Sequence, residues 1–415
     1  MNLKCLAIAA VCVLTCAPLA KADGHVTAFR VGKVVTMDGD DRIINNATVL
    51  VEDGRITAVG KSKRVEIPEG ATVVEHPTLW LTPGIVELHN HVLGSLADLN
   101  DGVYLTNPGL RTLETVTPNN SNVTRARAAG VTAGLLIPGS GNNMSGFGTV
   151  AKFAGDTVDE AVMRSPGSLK IAQAGNPESY WFGVQRSFQN YNLRRTLQKA
   201  KDYYDGWKAH EEGEADNPPD YDPTFHGFIG LFDEVFPASV HTQAYQLVMT
   251  TVSMLAQEFG IRVVLDHSTF DSWKVAPLVK EVGTDRVMTI VGPRAFQMDT
   301  YHRRLMGNVA SWAGSGIEEL GINTDSPVIP QEELPVQAAI ACWYGFNPYD
   351  ALAGITRVGA KALHIEDRVG SIEVGKDADF GLWTGNPVDP RSSCLMTVID
   401  GKIVYDAAKA EKREF

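Results

Sequence analysis

A (β/α)8 barrel carrying a small discontinuous β-sandwich domain is the fold class that this 415-residue sequence predicts. Three observations predict it. Both ends of the chain consist of short β-type runs with turn signals. Between them, a helical pattern that ends in Gly and is followed at once by a short apolar strand recurs. That alternating middle, about 285 residues long, is close to the ~250 typical of such barrels. A doubly wound sheet is the runner-up.

Met1 to Ala22 reads as a separate leader. Lys4 gives a positive start, Cys5 to Leu14 an apolar stretch, and Ala20-Lys21-Ala22 a small-x-small cleavage site. The apolar run is too short for an ordinary span, and no later stretch predicts one. The expectation is an exported protein, periplasmic or secreted. Lipid attachment at Cys16 is disfavoured by Thr15 before it. The domains expected after the leader are a first β part over 23–83, the barrel over 84–368 and a second β part over 369–415.

Three of the five cysteines fall in the leader, leaving Cys342 and Cys394 far apart, so no disulfide framework is expected. The whole chain has 37 Lys and Arg against 49 Asp and Glu. Without the two lysines of the leader the balance is 35 against 49, a net charge of −14. That argues against nucleic acid and anionic membranes as partners. A small-molecule substrate is expected, and a homo-oligomer is left open.

The first β part holds Phe29 to Met37, Ala47 to Glu52, Ile56 to Val59 and Thr72 to Glu75, with Asp53-Gly54 as a hairpin signal. The texture returns in Phe380 to Trp383, Cys394 to Ile399 and Ile403 to Tyr405, with Asp400-Gly401 as the second hairpin turn. In the middle, Gly130, Gly260, Gly283 and Gly321 each precede an apolar strand: Val131 to Ile137, Ile261 to Leu265, Val287 to Val291 and Ile322 to Thr324. Gly suits the left-handed position that ends a helix. Thr242 to Phe259 carries apolar residues at helical spacing. Arg186 to His210 reads as a charged helix, and Glu211 to Thr224 as an acidic loop, either beside the mouth of the barrel or a solvated connector.

The stretch that organises the chain is Leu81-Thr-Pro-Gly-Ile-Val-Glu-Leu-His-Asn-His91. Its apolar run predicts a buried strand, and residues i and i+2 of a strand share a face. His89 and His91 therefore project together from its C-terminal end, half of a metal site. Other strand ends carry His241, His267 and Asp325. Their separations fit one and about two βα units, which places all five residues on one rim, where such barrels keep their active sites. Singly, His241 or His267 is more often a core histidine, and Asp325 a helix cap. Jointly, nitrogen and oxygen ligands of this kind suit zinc or another divalent first-row ion. The other histidines sit at no strand end of the series; among them His302 is a candidate for substrate contact.

Pro83-Gly-Ile-Val-Glu-Leu-His-Asn-His91, the two later histidines and Asn323-Thr-Asp-Ser-Pro327 together resemble the amidohydrolase superfamily. Arg368-Val-Gly-Ser-Ile-Glu-Val-Gly-Lys-Asp-Ala-Asp379 is similar to that family's return to its β domain. Pro138-Gly-Ser-Gly-Asn-Asn-Met-Ser-Gly-Phe-Gly148 and Val150-Ala-Lys-Phe153 further resemble the imidazolonepropionase-like and prolidase-like branch. The resemblance implies metal-activated water attacking a carbon–nitrogen or ester bond, with Asp325 as general base and acid and His267 polarising the substrate or orienting the water. Asn142 and Asn143 are expected to meet substrate.

One departure bears on metal count. Many of that branch read Lys-x-Ala-x-Gly-Glu-Asn-Pro where this chain reads Lys170-Ile-Ala-Gln-Ala-Gly-Asn-Pro177, so Gly175 stands in place of Glu. The sequence reading therefore favours one metal on His89, His91, His241 and Asp325, with two as the alternative. The lost carboxylate would then be replaced by Glu178 or by carbamylated Lys152 or Lys170, although ordinary or salt-bridged lysines are the plainer reading for both. The expected function is exported, metal-dependent hydrolysis of a small amide, cyclic or dipeptide-like. A ring aminohydrolase and an inactive binding protein on the same fold are the competing readings.

Overall fold

The computed structural model describes residues 25–94, 100–173 and 175–410. The expected leader, with Cys16, lies outside the described residues. Strands β1 (Thr27–Val35), β2 (Ile43–Glu52), β3 (Arg55–Lys61) and β4 (Thr72–Pro83) open the chain. Strands β5 (Ile85–Asn90), β6 (Val131–Leu136), β7 (Met144–Lys152), β8 (Val162–Ala172), β9 (Ala238–Thr242), β10 (Val263–His267) and β11 (Val287–Val291) follow. A hairpin of β12 (Phe296–Asp299) and β13 (Arg304–Gly307) precedes β14 (Leu320–Ile322). The chain then returns in β15 (Phe380–Trp383), β16 (Cys394–Ile399) and β17 (Lys402–Asp406).

The eight strands from β5 to β11 and β14 form one nearly closed barrel sheet in sequence order. Both chain ends meet in a single seven-stranded sheet, β17-β16-β15-β4-β1-β2-β3. Its two predicted hairpin turns are present. Asp53 and Gly54 have φ of 49° and 77°, and Asp400 and Gly401 have 48° and 74°, the conformation that a two-residue turn between twisted strands demands. The sheet buries Phe29 against Phe380 edge-to-face at 4.9 Å, with Val49, Leu81 and Val398 around them.

Gly130, Gly260 and Gly283 take positive φ where predicted. Gly321 does not. It lies inside β14, where a side chain would collide with Ile290 and Leu88; the preceding helix Asn308–Gly314 ends instead at Gly316, φ 81°. The charged helix expected from Arg186 is present as Arg186–Glu211. The helix expected over 242–259 runs from Tyr245 to Thr251 and continues as a π-helix over Val252–Glu258.

The barrel departs from uniform βα alternation at β7, which is antiparallel to both β6 and β8. Only seven residues, Ile137 to Asn143, separate β6 from β7, too few for a parallel crossover. The reversal sends Lys152, at the end of β7, to the rim opposite the histidines. There its ammonium is enclosed by Asp377 (2.6 Å), Asp379 (3.2 Å) and Asp400 from the terminal sheet. Lys152 thus ties barrel to terminal sheet and is no candidate for a carbamate ligand. Its removal leaves two buried carboxylates undercompensated. Lys152→Met is expected to destabilise the protein by roughly 3–5 kcal/mol, read as a lowered denaturation midpoint. An unchanged midpoint would show the cluster to be energetically neutral.

Candidate active site

Strand β5 is buried along its whole length, as its apolar residues require. Its last turns of backbone present His89 and His91, whose rings meet edge-to-face at 5.0 Å. His267, the last residue of β10, lies 4.7 Å from His89 between ring centroids, and His241, in β9, lies 4.5 Å from His267. Asp325, three residues beyond β14, completes the group. Its Oδ1 is 3.3 Å from Nε2 of both His89 and His91, and its Oδ2 is 3.9 Å from Nε2 of His267. His267 and Asp325 have φ of 74° and 50°. Such left-handed non-glycine positions are sparsely populated and concentrate where a side chain must be aimed. All five rim residues named from the sequence are therefore brought together, with His241 one ring further from Asp325.

The far side of each ring decides where the lone pairs point. His91 Nδ1 is 2.8 Å from the Ile137 carbonyl, and His267 Nδ1 is 2.9 Å from the Gly292 carbonyl. A carbonyl only accepts, so both Nδ1 atoms carry the proton. His89 Nδ1 is 3.1 Å from Asp266 Oδ2, and neither atom has another partner. An acidic neighbour fixes the same tautomer there. Three Nε2 lone pairs consequently converge on one carboxylate.

Burial holds the imidazoles neutral: it pushes His267 down to about 4 and lowers His89 and His241 well below the usual range. Burial alone would raise Asp325, but His267, His91 and Lys170 outweigh it and hold the carboxyl down to about 2. The centre is thus a set of ionised and lone-pair oxygens and nitrogens facing one another, stable only around positive charge. A divalent cation fits it. His89, His267 and Asp325 offer ligand atoms all within 4.8 Å of one another, while His267 Nε2 and His241 Nδ1 have no partner.

The positive charge on hand is Lys170. Fully buried in β8, its Nζ lies 3.0 Å from His89 Nε2, with no carboxylate at ion-pair distance among the described residues. Burial pushes it down to about 8, against the pull of Asp266 and Asp325. Sequence reading gave Lys170 the plain role; the structure puts it at the centre. The other suggested substitutes lie elsewhere: Lys152 is on the opposite rim, and Glu178 pairs with Arg186 at 3.2 Å. Gly175 follows the end of β8 by three residues. It starts the helix Asn176–Tyr180 with φ 93°, and a side chain there would meet open space.

Asn142 and Asn143 are used in bracing the β6–β7 turn. Asn143 donates to the Ala172 carbonyl at 2.9 Å and accepts from Asn192 at 3.2 Å. Asn142 donates to the Asp101 carbonyl and accepts from Trp181 at 3.2 Å. His302 sits exposed in the β12–β13 turn, 2.7 Å from Asp299, and touches none of the rim residues. Sequence reading missed two buried acids, Glu87 and Asp266. Each is a charge inside an otherwise apolar strand, which is itself a signal, because an unpaired buried carboxylate is costly. Burial raises Glu87 to about 7 and Asp266 well above its usual value.

Known proteins share this fold in outline. Residues 314–404 match the amidohydrolase family. The solved structure of an amidohydrolase from Thermotoga maritima MSB8 is similar at a TM-score of 0.78 and 28% identity, over 92% of this chain and 100% of that one. Among curated proteins, imidazolonepropionase from Maricaulis maris (strain MCS10) is 26% identical over 389 residues, 87% of this chain and 92% of its own length. Amidohydrolase tasK from Hapsidospora irregularis is 24% identical over 407 residues. This chain spans only 40% of that protein's length. Barrel, rim and relatives together define a hydrolase of carbon–nitrogen bonds. These matches support the amidohydrolase superfamily as the group this chain resembles. Among the described residues, no helix is long and apolar enough to cross a membrane.

Proposed function

We propose that this protein hydrolyses the amide bond of a small, cyclic or dipeptide-like substrate, after export. His89, His91, His241, His267 and Asp325 would hold divalent metal, and Lys170, carbamylated, would add an oxygen ligand. The convergence of three Nε2 lone pairs on Asp325 carries this reading. A carbamate converts a buried, unpaired ammonium into an anionic donor, in keeping with the oxygen and nitrogen set around it. With both groups of ligands furnished, two ions are expected, and zinc suits the donors. The names of the curated relatives favour a cyclic amide.

Divalent metal bound there would lower the pKa of water toward ~7 and polarise the substrate carbonyl. Asp325, ionised at neutral pH, accepts the proton of the attacking water and returns it to the departing nitrogen. The anchored Nδ1 atoms of His91 and His267 hold both rings still, so Asp325 faces the reacting atoms without reorganisation. Any of the buried imidazoles left unligated is neutral and can donate or accept only through its remaining nitrogen.

Chelation followed by screening tests the proposal. Treatment with a strong chelator should abolish hydrolysis of cyclic amides and N-acyl compounds, and zinc or manganese should restore it. Release of a carboxylate without ammonia distinguishes amide cleavage from ring deamination. Full turnover in the metal-free protein, or ammonia as the product, would contradict this reading.

A further inference from the structure

The barrel sheet has a seam. Its order begins at β14 and ends at β5, and these two strands share no ladder. Across the seam the backbone contributes the Asn90–Ser326 bridge, with the His91 N–H donating to the Ser326 carbonyl at 2.8 Å. That seam divides the ligand set: His89 and His91 lie on one side, Asp325 on the other. Elsewhere in the barrel, the spacing of neighbouring strands is fixed by their hydrogen bonds. Here one bridge stands in place of a ladder, and side chains can supply what the ladder does elsewhere.

Glu87 is completely buried at this place. Its Oε1 accepts from the His89 N–H at 3.0 Å and from the Thr324 N–H at 3.3 Å. Its Oε2 accepts from Thr324 Oγ1 at 2.6 Å. One carboxylate thus collects donors from the residue beside Asp325 and from His89 itself. It makes no hydrogen bond to any ring nitrogen of the rim, so it does not belong to the ligand set. Ile85, Val86 and Leu88 around it are fully apolar and buried. A leucine would meet the packing needs of that position, which leaves the three hydrogen bonds as what the carboxylate adds.

We propose that Glu87 is a positioning residue which spans the open seam and sets the distance between the His89–His91 pair and Asp325. The inference rests on the metal-centre reading above. Ligand groups must be held within about 0.5 Å of the productive geometry, which demands support from residues behind them. Loss of such support typically weakens metal binding by roughly 10–100-fold. Removing the carboxylate would leave two backbone N–H groups and one hydroxyl unpartnered at the seam, and the two sides would drift apart.

The test uses the full chain with Glu87→Leu, Glu87→Gln and Thr324→Val. Each is stripped of metal and titrated with zinc against a chromophoric chelator. The visible spectrum of the cobalt-loaded protein and the thermal midpoint of the metal-free protein are recorded alongside. Glu87→Leu should bind zinc roughly 10–100-fold more weakly and show altered cobalt bands. Glu87→Gln keeps an acceptor oxygen for both N–H groups and should rescue affinity to within about threefold. Thr324→Val removes one donor from the far side and should cost about three- to tenfold; it decides the matter if Glu87→Leu does not fold. A folded Glu87→Leu or Thr324→Val protein with wild-type zinc affinity and an unaltered cobalt spectrum would overturn the role of Glu87. Wild-type protein that binds no zinc would overturn the metal centre and this proposal with it, so the two failures are distinguishable.

Discussion

Asp325→Asn is expected to lose roughly 10²–10⁴-fold in turnover while the fold persists. The carboxylate is held down to about 2 by His267, His91 and Lys170, so it is ionised at neutral pH. The amide is close in shape and size but accepts no proton, and its nitrogen would face one of the Nε2 lone pairs 3.3 Å away. The comparison needs steady-state rates and metal content measured on one preparation. A metal-loaded, folded Asp325→Asn protein with wild-type kcat would remove Asp325 from the chemistry.

Lys170→Met should be as damaging, for a different reason. Carbamate formation joins the neutral amine to carbon dioxide and releases one proton, so it needs Lys170 unprotonated. With the amine pushed down to about 8, roughly a tenth is neutral at pH 7 and half at pH 8. The sign is therefore definite: reconstitution of metal-free protein by zinc should accelerate as pH rises from 7 to 9, and further on adding bicarbonate. Lys170→Met keeps the apolar stem but has no amine. It should lose roughly 10²-fold or more in activity, comparable to removal of a group that directly shapes the metal site, and should ignore bicarbonate. Normal activity in Lys170→Met would show the lysine to be a counter-charge only.

The rim was legible in the sequence because its signals are local. An apolar run ending in His-x-His fixes which face the rings share, and strand-length spacing carries His241, His267 and Asp325 to the same end of a barrel. The two Asx-Gly hairpins were legible for the same reason, since positive φ at both turn positions is written in residue type. What was not legible depended on direction and depth. Lys152 and Lys170 look alike as single lysines beside strands. Reversal of β7 sends the first to the far rim, among three aspartates of the terminal sheet, and β8 carries the second into the centre. The seven-residue link from Ile137 to Asn143 contained that reversal, because no helix fits in it. Asn142 and Asn143 were chosen as polar residues at a strand end. Only the tertiary fold shows that Ala172, Asn192 and Trp181 already engage them. Gly175 differs from a motif in residue type alone, and only the fold shows that its position is a helix start with open space around it.

Metal content measured by elemental analysis is the most direct test of the central claim. Wild-type protein reconstituted with zinc in bicarbonate buffer near pH 8, then passed through a desalting column, should retain about two equivalents per chain. Folded protein that emerges without bound metal, while still hydrolysing its substrate at the full rate, would contradict it.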